Sequence, residues 1–586
     1  MDDKRNLIAA ILLSVAILIG WNFVAEKFFP TPEKPDVTTS VAGTKGAPAA
    51  TPATQGQPSA LPTPGAAPAT PATAPTIQPV ETALAGGNRV PIETPALSGS
   101  INLVGARVDD VTLNKYRQTI QKDAPPVRLF APGGTRSAYF ASIGWSAQGI
   151  EVPGPNTVWT ATGAKLTPTT PVTLRWANGT GQTFRIDYSV DTHYLITAKQ
   201  TIVNQGSAPV NASSFALIDR LGKPTDPHEQ DSWTIHVGPT GYLGGKSVFD
   251  VNYDDVEDAA NRTVRYNSSA WLGFTDKYWL AAIVPAKGER VTAAFSSPAA
   301  NNYQSMFARD FTTVAPGRQL SATSRIFAGA KEVGILSAYQ DDQGITRLSN
   351  AIDWGWFEFF EVPIFKLLDW LFRQVGNFGV AIMLLTVIIR LAMFPIAQRQ
   401  FHSMAQMRVM QPKMKALQER FKDDKPKMQQ ELMKLYKDEK INPLAGCLPI
   451  VIQIPIFYAL YKVLMLTIEM RHQPFILWIK DLSAQDPAMI LNLFGLLPFT
   501  PPSLLSIGVL ALILGVTMFL QFRLNPAPAD PVQEQVFKIM PWLFMFIMAP
   551  FAAGLLLYWI TNNILSIGQQ QWMYRKFPQL KTAAAK

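Results

Sequence analysis

Polar side chains recur at helical spacing inside long apolar stretches of the C-terminal half. Arg390 lies well inside the apolar run 378–395, and Thr386 precedes it by four residues, so one helix face presents both groups. A cation at membrane depth costs about 3 to 17 kcal/mol, depending on how far water and lipid relax toward it. We therefore expect Arg390 to line a wet cavity or to extend to the nearer headgroup layer.

The last apolar stretch carries a stripe of polar residues. Its members recur every three or four positions and so share one helix face: Trp559, Asn562, Asn563, Ser566 and Gln570. An unpaired amide in lipid costs several kcal/mol, so the stripe should face protein or water. A lone Asn can join two helices, but a stripe that continues to the inner end of the helix favours a wet surface.

Further polar positions fall in the middle or inner half of other apolar stretches, namely Gln453, Thr517 and Gln521. The simplest arrangement is one hydrated groove, closed toward the outside and open to the cytoplasm, with Arg390 as its positive centre. It contains no nucleophile–base pair and no metal-ligand set, so we expect no enzyme activity, no cofactor and no metal. The groove would shorten the apolar distance that a polar segment must cross, and its cation would attract acidic side chains.

The composition favours a membrane protein over a soluble one. Of 586 residues, 47% are hydrophobic and only 16% are charged, which is low for a soluble globular chain. The net charge of +9 fits basic cytoplasmic loops as well as a nucleic-acid binder. No Gly-rich phosphate loop, HExxH or paired CxxC motif occurs, and we expect no nucleic-acid site. The single cysteine, Cys447, excludes an intramolecular disulfide framework.

The N-terminal half divides by composition into three parts. The apolar run 7–24 predicts an uncleaved membrane anchor over 1–29, with the N-terminus in the cytoplasm and a cleaved signal peptide as the alternative. Residues 30–87, rich in Pro, Ala and Thr, predict a disordered tether. Residues 88–345 show short alternating runs and frequent turns, which predict a large antiparallel β-sandwich outside the cytoplasm.

The C-terminal half predicts a polytopic α-helical membrane region. Mixed aromatics and charges over 346–375 indicate an amphipathic helix in the membrane interface. We expect a second span at 376–397, a basic cytoplasmic helical hairpin at 398–442, four further spans within 443–575 and a cytoplasmic tail at 576–586. The count is six spans with both termini inside, and the fourth span is placed at 503–522.

Methionine recurs along the first part of the predicted hairpin, at Met404, Met407, Met410 and Met414. Methionine is flexible and common on surfaces that accept varied apolar partners. These residues predict either such a receiving surface or the hairpin's own packing seam.

Several ordered motifs together resemble the YidC membrane-protein insertases of the bacterial inner membrane, in their Gram-negative form. They are Thr386-x-x-x-Arg390, 442–455, 477–487 and 554–571. The resemblance implies Sec-independent insertion of small nascent membrane proteins, cooperation with the Sec translocon, and help with folding. It further implies a five-helix core, Arg390 as the functional cation, a substrate-receiving hairpin and a sandwich largely dispensable for insertion. The basic loops and tail make the ribosome a candidate partner, besides membrane lipids.

Two other functional classes stay open at this point. One is a small-solute transporter with Arg390 as counter-ion, although the internal repeats common in transporters are not evident. The other is a structural assembly factor, in which the sandwich binds partners and the polar stripes only join helices.

Overall fold

The chain forms two compact units, one holding the described strands and the other the helices that follow Trp354. The computed structural model describes residues 77–86, 88–224, 235–258, 263–266, 269–398, 413–414, 416–417, 419–421, 424–438, 448–494, 496–497, 499, 501–502, 506–524 and 531–576. The predicted anchor, nearly all of the tether, Met404, Met407 and Met410 lie outside the described residues.

The strands of the first unit form two antiparallel sheets, with ten and nine strands among the described residues. In spatial order the first sheet contains β1 (Arg89–Glu93), β2 (Leu97–Asn102), β3 (Arg107–Arg117), β5 (Tyr139–Gln148), β10 (Val210–Leu221), β17 (Asn302–Ala308), β16 (Thr292–Ala299) and β13 (Thr263–Tyr266), with β4 (Pro126–Phe130) beside β3 and β18 (Thr312–Val314) beside β10. The second contains β12 (Lys246–Val248), β11 (Gly238–Leu243), β14 (Ser269–Thr275), β15 (Trp279–Pro285), β19 (Gln319–Ala330), β9 (Leu195–Asn204), β8 (Gln182–Val190), β7 (Val172–Ala177) and β6 (Thr160–Thr162). The antiparallel β-sandwich predicted from the sequence is confirmed.

Apolar and polar residues alternate along these strands, so each strand turns its apolar side chains to the covered face of the sheet and its polar side chains to the more open face. In β8, Phe184, Ile186 and Tyr188 are buried, whereas the residues between them are half-buried. The Asn178-Gly and Pro316-Gly turns adopt the left-handed glycine conformation that such turns require, with φ of 75° at Gly179 and 70° at Gly317.

Buried polar contacts join the two sheets. Arg220 on β10 donates to Asp276, which follows β14, at 2.8 Å, and the Arg220 guanidinium lies 4.7 Å from the Tyr139 ring centroid. Gln200 on β9 donates to the carbonyl of Gly144 on β5 at 2.8 Å. A buried polar group is costly unless it is paired, so sliding one sheet along the other would break these bonds at a cost in free energy. They therefore help the apolar core to fix the relative position of the sheets.

A polar cluster joins β3 to the residues just before β9 and before the helix Val333–Asp341. Glu332 accepts hydrogen bonds from Lys115 Nζ and from the Tyr194 hydroxyl, each at 2.7 Å. Burial raises the pKa of Glu332, but hydrogen bonds from Lys115, Tyr194 and Tyr116, together with the charge of Lys115, outweigh that effect and hold the carboxyl pKa below its ordinary value. Its contribution to stability is therefore present above the unfolded pKa of about 4.3 and is lost as pH falls through the lower folded value.

We expect Lys115→Met to lower the free energy of unfolding by about 0.5–1 kcal/mol at neutral pH, because it removes the hydrogen-bonded pair with Glu332. The loss is no larger because water screens the exposed lysine. The difference from the parent protein should shrink below about pH 4, where Glu332 becomes protonated in both chains. Unfolding of the full-length protein followed against pH measures this. Lys165→Met, which removes a pair with Glu93 that is exposed on both sides, is the control and should cost less. A pH-independent loss in Lys115→Met would contradict the electrostatic account.

The helices follow a simple order along the chain. Three short ones belong to the sandwich unit: α1 (Val80–Ala85), α2 (Tyr253–Asp258) and α3 (Val333–Asp341). The sandwich unit also holds the 3₁₀ turn Leu348–Ala351. The second unit contains α4 (Glu358–Val375), α5 (Phe378–Ala392), α6 (Lys425–Asp438), α7 (Leu448–Leu466), α8 (Val509–Leu524), α9 (Pro531–Met548) and α10 (Ala553–Lys576). Two further 3₁₀ turns are Gly355–Phe357 and Ile468–Met470. Among the helices that the structure describes, none meets the combined demands of length and apolar character for crossing a bilayer.

Local chemistry explains where these helices begin and end. Gly376, at φ 68°, ends α4, and the Asn377 side chain caps α5 by accepting from the Val380 amide at 3.1 Å. The α5 helix ends at Ala392, and after one turn residue the backbone is helical again over 394–398. Pro395 lies in the first turn of this second segment, where its missing N–H is tolerated. Asp424 caps α6 by accepting from the Lys427 amide at 3.1 Å.

The segment between α7 and α8 is organised by one buried carboxylate. Asp486 is 1% exposed and accepts from Trp478 Nε1 at 3.0 Å, the Ala488 amide at 3.0 Å and the Leu510 amide at 2.7 Å. A Cβ at Gly508 would lie 2.7 Å from this carboxyl group, so glycine permits the close approach. Because Asp486 satisfies the Leu510 amide, α8 begins at Val509, six residues after the start of the fourth span placed at 503.

Candidate functional site

Arg390 is held by the last helix. It lies in the final turn of α5, which packs against α10. Its Nε donates to Asn562 Oδ1 at 2.8 Å, and its Nη2 donates to the Asn562 carbonyl at 3.4 Å and to Ser566 Oγ. Ser566 in turn donates to the Asn562 carbonyl at 2.6 Å. The guanidinium is thus fixed on two neighbouring turns of α10.

The groups that bind Arg390 are all neutral. Within the described part of the chain, no carboxylate forms an ion pair with the half-buried guanidinium. Neutral oxygen atoms satisfy its donors but do not cancel its charge. The site therefore keeps a positive charge that a group from outside can meet.

A cavity of about 180 Å³ adjoins Arg390. It is lined by Val387, Arg390, Leu391, Phe394, Leu565, Gln569 and Trp572. The Phe394 and Trp572 rings lie 5.6 Å apart at its edge. Gln569 Nε2 is buried and has no hydrogen-bond partner in the described part of the chain. The surface that faces the cavity is therefore apolar, and Arg390 and Gln569 are the polar residues that border it.

Thr386 and Thr517 use their hydroxyl groups within their own helices. Thr386 is 1% exposed and donates to the Ile382 carbonyl one turn earlier at 2.7 Å. Thr517 donates to the Leu514 carbonyl at 3.0 Å and accepts from Asn563 Nδ2 at 3.2 Å. Consecutive residues on a helix point about 100° apart, so Asn562 faces Arg390 on α5 while Asn563 faces Thr517 on α8.

Trp559 contacts two helices other than α5. Trp559 packs with Phe457 of α7 and Phe544 of α9, at centroid distances of 4.9 and 5.1 Å. Gln521 is half-buried near the end of α8, and Gln570 and Met414 are buried. Gln453 lies within α7, but its side chain, like Met404, Met407 and Met410, is outside the described residues.

The cavity wall on α10 was not predicted from the sequence. Leu565, Gln569 and Trp572 follow Asn562 at intervals of three, seven and ten residues, which places them on or beside the same face. The helical spacing that placed Asn562 and Ser566 on one face also predicts these positions. Leu565 and Trp572 are apolar, however, and a search for polar positions passes over them.

Two family models together cover most of the chain. The model described as the YidC periplasmic domain matches residues 89–367, and the model described as 60Kd inner membrane protein matches residues 370–581. A protein of Zymomonas mobilis named membrane protein insertase YidC is 44% identical over 581 residues, covering 98% of this chain and 96% of that protein. The chain belongs to the YidC family of membrane protein insertases.

Other YidC relatives agree. A Rhizobium johnstonii protein of the same name is 46% identical over 575 residues, covering 97% of this chain and 95% of its own. A solved structure described as an active YidC insertase with its first transmembrane domain resolved is 19% identical, covers 82% of this chain and 92% of that one, and has a TM-score of 0.36. The assignment depends on the sequence matches. They confirm the resemblance to a bacterial inner-membrane protein with a periplasmic domain, and the β-sandwich is that domain.

Proposed function

We propose that this chain inserts newly made proteins into the bacterial inner membrane and helps them fold, alone or with the Sec translocon. The passage would be a hydrated groove open to the cytoplasm, with Arg390 at its centre. One observation carries the proposal: a cation held by Asn562 and Ser566 with no acidic partner among the described residues. The relatives named as membrane protein insertases support the same activity.

The proposed mechanism is electrostatic and involves no covalent step. Water in the cavity beside Arg390 would let a polar segment enter without losing all of its hydration, which otherwise costs several kcal/mol per unpaired group. The fixed cation would favour acidic side chains of the entering chain. The apolar wall, including Leu391 and Trp572, would accept the hydrophobic residues of the same segment.

The organisation around the groove forms part of the proposal. Six spans would place both termini in the cytoplasm and the sandwich in the periplasm. The basic hairpin at 398–442 would receive substrate through Met404, Met407, Met410 and Met414, and the basic loops and tail would approach the ribosome. Thr386, Gln453, Thr517, Gln521, Trp559 and Asn563 would complete the groove and its supporting wall.

Reconstitution tests the activity directly. Liposomes containing only the purified full-length protein should protect a small two-span substrate from added protease, above the level of protein-free liposomes. Protection no greater than that background would remove the insertase proposal. Transport of a small solute without substrate insertion would favour the transporter class.

Cysteine labelling tests hydration at the cavity. In a background with Cys447 replaced by Ser, we expect Gln569→Cys to react with a water-soluble maleimide added from the cytoplasmic side. Leu384→Cys, on a more exposed position of α5, is the control and should stay unlabelled in the membrane. Equal protection of both cysteines would count against a hydrated groove.

A further inference from the structure

A larger cavity lies within the sandwich unit. Its volume is about 340 Å³, at the lower end of the range for small-ligand sites. Its lining comes mainly from the turn between β11 and β12, from residues 284–290 at and after the end of β15, and from residues 344–346 after α3. Tyr242 of β11, Ala270 of β14 and Arg325 of β19 complete it. The cavity is thus built by loops that a rigid β-sandwich positions, an arrangement common in binding sites.

Positive charge lines this cavity without a balancing acid. Lys287, Arg290 and Arg325 all contribute, and in the described part of the chain none of them forms an ion pair. The acidic residue in the lining is Glu289, and Arg309 binds both of its oxygens at 2.7 Å. Arg309 thus neutralises the charge of Glu289. The positive charges of Lys287, Arg290 and Arg325 have no acidic partner in the cavity lining.

The backbone around these cations is held in place and leaves room for a ligand. Arg325 Nη1 donates to the Gln343 carbonyl at 3.0 Å, which ties the strand to the loop and leaves the other guanidinium donors available. Gly288 and Gly344 have φ values of 75° and 65°, so these loops turn without a side chain filling the space.

We propose that this cavity binds the phosphate group of a phosphate ester. Two guanidinium groups and one ammonium group suit a tetrahedral oxyanion, because arginine donates in a fixed fork and lysine adds a point charge. Tyr242, Val284 and Ile345 form an apolar wall for the organic part of the ligand. The ester is either a water-soluble metabolite or the headgroup of an anionic phospholipid.

The test uses the full-length protein and separates the two sources. In the first arm, glycerol 3-phosphate is titrated into protein in dodecyl maltoside by calorimetry. In the second, hydrogen exchange of residues 284–290 and 344–346 is compared in nanodiscs of phosphatidylglycerol and of phosphatidylcholine. Both arms include the variant Lys287→Gln/Arg290→Gln, in which both altered side chains are exposed. The control Lys122→Gln/Lys199→Gln removes the same charge from exposed positions outside the cavity.

We expect the cavity variant to weaken binding at least tenfold and the control to bind like the parent. Saturable, variant-sensitive binding of glycerol 3-phosphate identifies the soluble ester as a ligand. Variant-sensitive protection of the two loops in phosphatidylglycerol alone identifies the lipid headgroup. The cavity variant must first have the unfolding temperature of the parent. If it does, and neither arm gives a response that this variant abolishes, the proposal is overturned.

Discussion

Arg390→Ala is expected to reduce insertion of a small substrate by about ten- to a hundredfold. The alanine removes the charge and the donors to Asn562 and Ser566, and hydrogen bonds that involve a charged group are worth about 1.5–3 kcal/mol each. The measurement is the initial rate of protease protection in liposomes at equal protein content.

Arg390→Lys separates charge from geometry. Lysine keeps the cation but has no planar fork, so it cannot reproduce the separate Nε and Nη2 contacts with Asn562 and Ser566. We expect activity between those of the parent and of Arg390→Ala. Arg523→Ala, at an exposed position in the last turn of α8, is the matched control and should insert normally. Full activity in a well-folded Arg390→Ala protein would contradict the proposed role of the cation.

Asp486→Ala is expected to lower the free energy of unfolding by about 3–5 kcal/mol. It leaves three buried or half-buried donors without their acceptor: Trp478 Nε1 and the amides of Ala488 and Leu510. Each stranded donor costs about 1–3 kcal/mol. Thermal unfolding of the full-length protein in detergent measures the loss.

Two further variants make the Asp486 test specific. Asp486→Asn keeps one oxygen acceptor and should lose less stability than the alanine variant. Asp369→Asn removes a pair between the half-buried Asp369 and the exposed Arg373 on α4, and should change stability by no more than about 0.5 kcal/mol. Equal unfolding temperatures for Asp486→Ala and the parent would show that the three contacts contribute little.

The sandwich was predictable because its signal is local. The alternation along β8 and the glycine turns such as Asn178-Gly each depend on a few neighbouring residues of the sequence. The strand order was not, since β5 pairs with β10 and β9 with β19 across long separations. No short sequence pattern specifies which distant strands become neighbours.

The candidate site shows the same division. Helical spacing selected Arg390, Asn562 and Ser566, which the structure brings together. Spacing alone could not show that Asn563 contacts Thr517 on another helix. Asn562 and Asn563 are adjacent and point about 100° apart, so each can face a different neighbouring helix. Asp486 stands in a motif noted from the sequence, yet its role depends on Leu510, far along the chain, and no local pattern reveals it.

The early end of α5 also affects the electrostatics of its cation. The unbonded carbonyl groups in a last turn act as about half a negative charge, and they favour a nearby cation by about 0.3–1 kcal/mol, rising to about 2 kcal/mol where the site is partly buried. Arg390 lies in the last turn of α5 and so near this negative pole, while the positive end of the helical segment 394–398, which begins after Met393, weakens its field. The backbone field of the helix thus offsets part of the cost of keeping an unneutralised guanidinium there, and the same residue one or two turns earlier would lose that support.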